Sequence, residues 1–90
     1  MATSKIKNSE KVIYSGSFEI PNVTTTETDL YIAFPNPYIS VPTVVISFTS
    51  GSYNRRIHIK AISAYGFTVT GALLTSGTAS VYGAWISVGK

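Results

Sequence analysis

Arg56, His58 and Lys60 recur at every second position, the spacing that lines up side chains on one face of a β-strand. Tyr53 and Tyr65 flank the run. Such a face could grip an acidic glycan or a phosphate. It is also a thin version of the basic, aromatic-lined grooves that hold single-stranded nucleic acid. Two arginines and one lysine are too few to make nucleic acid the expected partner, and solubilising charge is the competing reading. His58 is the only histidine, and cysteine is absent. A lone histidine between two cations, on an outward strand face, is expected at the surface rather than in a metal or catalytic site. No carboxylate pair stands near it, and no nucleophile-elbow, phosphate-loop or dinucleotide motif occurs. The sequence therefore assigns no catalytic residue, no metal and no cofactor, and an enzyme is not expected.

The elements that must position these residues read as strands. Val12 to Ile20 alternates with Val12, Tyr14, Phe18 and Ile20 on one side, and Gly16 suggests a bulge. Pro21 to Thr28 reads as a threonine-rich loop opened by proline. Leu30, Ile32 and Phe34 alternate against Tyr31 and Ala33 in a second strand, stopped by Pro35 and Pro37. Pro42 introduces a third, with Val44, Ile46 and Phe48 on one face. Ser50 to Asn54 is a loop of turn formers. In the fourth strand Ile57, Ile59 and Ala61 face inward, opposite Arg56, His58 and Lys60. Phe67 and Val69 alternate with Thr68 and Thr70 in a fifth, and Ser80 to Val88 forms the last. Six short strands at near-regular spacing predict an all-β sandwich or barrel.

The last strand breaks the alternation, because Tyr82, Ala84, Ile86 and Val88 are apolar opposite Val81 and Trp85. A strand apolar on both faces needs cover on its second side, and a neighbouring protomer or a loop would supply it. Trp85 is expected in the core or a protomer contact. Ninety residues make one domain, marginal by size alone. Without disulfides or metal, self-association is the remaining route to added stability. Charged residues make up only 12% of the chain, against a usual value of about 25%. Residues 1–11 read as a flexible N-terminal segment and 12–90 as the domain. The polar start, with Lys5 and Lys7, lacks the apolar stretch of a secretory signal, which predicts cytoplasmic synthesis and gives the Asn22-Val23-Thr24 sequon no weight. No apolar run reaches the roughly 20 residues of a membrane helix. All four acids lie in the first third, and every charge after Asp29 is basic.

Ile32-x-Phe34, Pro37-Tyr38, Pro42-x-Val44-Val45, Asn54-x-Arg56, Gly66-Phe67 and Trp85-Ile86 follow one another in this order. The series resembles the H-type lectins and the lectin-like domains that end many bacteriophage tail fibres, over roughly Tyr14 to Gly89. The closing Trp-Ile-Ser-Val-Gly-Lys looks most like the phage versions. The resemblance implies a six-stranded antiparallel β-sandwich that assembles as a homotrimer or a multiple of trimers, with sugar clefts between protomers.

The family's sugar-contacting arginine falls on Arg56, whose guanidinium could hold two vicinal hydroxyls with a fixed fork of donors. Such a bond contributes about 1.5–3 kcal/mol, enough to orient a sugar but not to hold it alone. Asn54, Tyr53, Tyr65 and Tyr82 are the further candidate contacts, tyrosine offering apolar area with a hydroxyl. Where the family carries an aromatic-polar pair, this chain has Leu73-Leu74-Thr75-Ser76-Gly77, so an N-acetylgalactosamine preference does not carry over. The expected function is recognition of cell-surface carbohydrate at a virion tail tip or outside the cell, weak per site and strengthened by several copies. The alternative is a trimerisation cap that binds no ligand.

Overall fold

A computed structural model describes residues 11–48 and 55–90. These form β1 (Val12–Val23), β2 (Thr28–Ala33), β3 (Thr43–Phe48), β4 (Arg55–Ile62), β5 (Gly66–Leu73) and β6 (Ala79–Gly89). They make two antiparallel three-stranded sheets, ordered β1-β6-β3 and β2-β5-β4. The sheets stack with β1 against β2 and β5, and β3 against β4. The expected six-stranded all-β fold is present. The expected loop 50–54 and flexible segment 1–11 lie outside the described residues, apart from Lys11.

Side chains of both inner faces fill one core. Phe18, Ile20, Val44, Val81 and Trp85 come from the first sheet, and Phe67, Val69 and Leu73 from β5. Trp85 is buried in this core, as its apolar setting predicts. Phe34, just past β2, stands at the centre of the aromatic group, with ring centroids 5.0 Å from Tyr38, 5.9 Å from Phe67 and 6.0 Å from Trp85. Pro35 and Pro37 end β2 and swing Tyr38 over one end of the sandwich. The Tyr38 N–H donates to the Ala64 carbonyl at 2.8 Å, fixing this crossing to the β4–β5 turn.

Three details differ from the alternation. Gly16 is not bulged: it pairs in unbroken register with Trp85, and its missing Cβ makes room for the indole. The register shift falls instead at Pro21 and Asn22, and β1 continues through them to Val23 where a loop was expected. Proline is tolerated because β1 is an edge strand, and Asn22 takes a positive φ of 56°, a region in which asparagine is enriched. In β4 a shift between Ile59 and Ala61 inverts the phase, so Ala61 is exposed and Ile62 packs against the core in its place.

Candidate functional site

β5 is the middle strand of its sheet and almost wholly buried, so β2 and β4 display the charged groups on either side of it. Register places Asp29 opposite Thr70 and His58 opposite the same threonine, with Arg56 opposite Ala72 and Tyr31 opposite Thr68. The acids of the early chain thus meet the bases of the middle. Lys60 Nζ lies 2.8 Å from Asp29 Oδ2, and Arg56 Nη2 lies 3.6 Å from Glu27 Oε2. All four side chains are about half exposed, and pairs in that setting contribute little to stability.

The Lys60–Asp29 pair explains why Thr70 is inaccessible although it points away from the core. Lys60 reaches from β4 across β5 to β2, and the Thr70 hydroxyl beneath it donates to the Thr28 carbonyl at 3.2 Å. The hydrogen bond from Lys60, with a lesser contribution from the Thr70 hydroxyl beside it, holds the Asp29 carboxyl below its ordinary value. The same bond with Asp29 holds the Lys60 ammonium above its own. The basic face expected at Arg56, His58 and Lys60 is therefore charge-balanced by Glu27 and Asp29.

The candidate sugar contacts are not gathered at one place. Arg56 lies at the end of this outer face near Leu73, and Arg55 beside it donates its Nε to the Ser80 carbonyl at 3.1 Å, fastening the two sheets. Tyr65 stands at the other end, in the turn before β5, about 20 Å away by strand rise. Tyr82 sits on the outer face of the opposite sheet, across from Glu19. Tyr53 and Asn54 lie outside the described residues. A residue not singled out from sequence, Tyr31, is 57% exposed on the same face as Arg56 and at the same end as Tyr65. The alternation of β2 pointed it outward and was the available signal. Among the described residues no three His, Asp or Glu side chains gather to hold a metal.

The opposite outer face, on β1-β6-β3, has another character. Ile13 pairs with Val88, and Val45 with Ile86, while Ala84 and Tyr82 continue the apolar line along β6. Ile13, Val45, Tyr82 and Ile86 are all exposed. This is the uncovered second side that the composition of the last strand predicts.

No protein-family model matches the chain, and no curated protein sequence does. Solved structures do. An N-truncated R1-type pyocin tail fibre matches with a TM-score of 0.74 at 10% identity, over 89% of this chain and 71% of that one. A Pseudomonas aeruginosa R1 pyocin fibre comprising C-terminal residues matches with a TM-score of 0.69 at 8% identity, again over 89% of this chain, which spans 23% of that longer one. The chain is similar in fold to domains of R-type pyocin tail fibres.

Proposed function

We propose that this chain is a tail-fibre module that assembles as a homotrimer and recognises cell-surface carbohydrate without catalysing a reaction. One observation carries the reading: within the tail-fibre fold, one outer face carries an exposed apolar line of Ile13, Val45 and Ile86, and the other carries paired charges beside the exposed Tyr31. The apolar face of β1-β6-β3 serves assembly, and three copies follow from the resemblance to H-type lectins. The polar face of β2-β5-β4 and its ends serve recognition, with Arg56 as the first candidate contact. The module works as part of a virion or virion-derived tail, where repeated weak contacts add up.

The test is glycan binding by the intact protein and by Arg56→Ala, with the oligomer followed by sedimentation. Binding abolished by the substitution in an unchanged oligomer supports the reading and places Arg56 in the site. A second reading, a trimerisation cap without ligand, is favoured by the engagement of Arg56 with Glu27 and by the separation of Arg56, Tyr65 and Tyr82. A well-folded trimer that binds no glycan decides for the cap.

A further inference from the structure

We propose that the Tyr31 end of the β2-β5-β4 outer face is a platform for a neutral pyranose, separate from the Arg56 corner; this rests on the carbohydrate reading above.

Tyr31 owes its position to Gly66. A Cβ at residue 66 would stand 2.6 Å from Tyr31 Cζ and would also meet the Ile32 carbonyl. The tyrosine thus occupies the space of the missing side chain and lies down over β5 rather than rising from the sheet. It remains 57% exposed, so only the hydroxyl end is set against glycine and much of the ring is open to a ligand. Tyr65, bonded directly to Gly66, is 68% exposed at the same end. Its backbone is fixed, because its carbonyl accepts from the Phe34 N–H at 2.9 Å and its N–H donates to Ser63 Oγ at 3.1 Å. Two large aromatic side chains thus stand mostly open at one end of the sheet, used by neither the core nor the ion pairs.

The polar groups beside them fix the class of ligand. Asp29 precedes Tyr31 by two residues on the same face, about 7 Å along the strand, and carries the Lys60 ammonium with it. The ammonium keeps donors and the carboxylate keeps lone pairs beyond the one bond they share. Those are the partners sugar hydroxyls require beside an aromatic that covers the apolar ring face. Each acid on this face is paired with a base, Glu27 with Arg56 and Asp29 with Lys60. A surface so balanced offers an anion no advantage, which selects a neutral sugar over an acidic one or a nucleic-acid strand.

The experiment screens the intact protein on neutral and acidic bacterial-surface oligosaccharides, then titrates the tightest-binding neutral one against variants. Tyr31→Ala should weaken binding by about tenfold, the scale of one lost aromatic contact. Tyr65→Ala tests the same platform without touching β2 and should weaken it by several fold, as should Lys60→Met. Thermal midpoints should stay near that of the parent for the two tyrosine variants, whose side chains are exposed. Parent-like affinity in both tyrosine variants overturns the platform and leaves the carbohydrate reading standing. Binding confined to acidic oligosaccharides also overturns it, and failure of the parent to bind any oligosaccharide overturns both.

Discussion

Tyr38 and Ser87, 49 residues apart in sequence, join their hydroxyls at 2.7 Å inside the sandwich. Tyr38 also donates to the Val12 carbonyl at 3.1 Å, so Ser87 is the donor between the two hydroxyls. The arrangement is unequal. Ser87→Ala removes one bond and leaves Tyr38 its acceptor, at a cost of about 1 kcal/mol. Tyr38→Phe strands a fully buried Ser87 hydroxyl and should cost about 2–3 kcal/mol. The double variant should lose less than the sum of the two, as denaturant unfolding would show.

Gly16→Ala probes the close approach of β1 to the indole. The new methyl would stand 2.9 Å from Trp85 Nε1 and 3.2 Å from Cε2 and Cζ2. Trp85 cannot retreat easily, because its ring packs edge-on against Phe67 at 5.4 Å. The expected loss is about 1–3 kcal/mol. For a domain this small each kcal/mol lowers the melting midpoint by roughly 4–8 °C, within reach of calorimetry.

Ile86→Lys should dissolve the proposed trimer and spare the fold. Ile86 is exposed at the middle of the apolar face, so a single chain accommodates the ammonium in water. In an assembled interface the same charge would be buried without a partner, at roughly several kcal/mol per copy. Sedimentation should show monomers with unchanged far-ultraviolet circular dichroism. A parent protein that stays monomeric at all concentrations would remove the proposed trimer.

The Lys60–Asp29 pair predicts a bounded pH range. Asp29 is held below its ordinary value of 3.8, so its contribution is present above that value and disappears as pH falls through the lowered one. Lys60 is held above 10.5, so its contribution is present below that value and disappears as pH rises through the raised one. Stability owed to this pair should stay level between the two and decline outside them. Asp29→Asn should remove the part of the acid-side decline that belongs to this carboxyl, measured by urea unfolding across pH.

The strands were legible because β2, β3 and β4 each have one wet face and one dry face. The phase inversion in β4 was not, since a bulge at Lys60 and Ala61 leaves no mark in a period-two pattern. Pro21 misled because proline marks a break unless its strand lies at an edge, and edge position is a property of the whole sheet. The pairing of Glu27 with Arg56 was hidden for the same reason: both flank β5 only through sheet order. The distance from Arg56 to Tyr65 could have been read, because the two sit at opposite ends of one extended strand.

Of the four ladders among the described residues, only β4–β5 joins strands that follow one another in the chain. The first sheet needs β6 between β1 and β3, so during synthesis those two strands wait unpaired until the final strand leaves the ribosome. Apolar strands left waiting in this way are exposed to aggregation, and pairing across such separations makes folding slow. The β4–β5 hairpin can form early and offer β2 a template, while the outer face of β1-β6-β3 cannot exist before β6 is in place. In the proposed assembly, association between copies would therefore follow the folding of this domain.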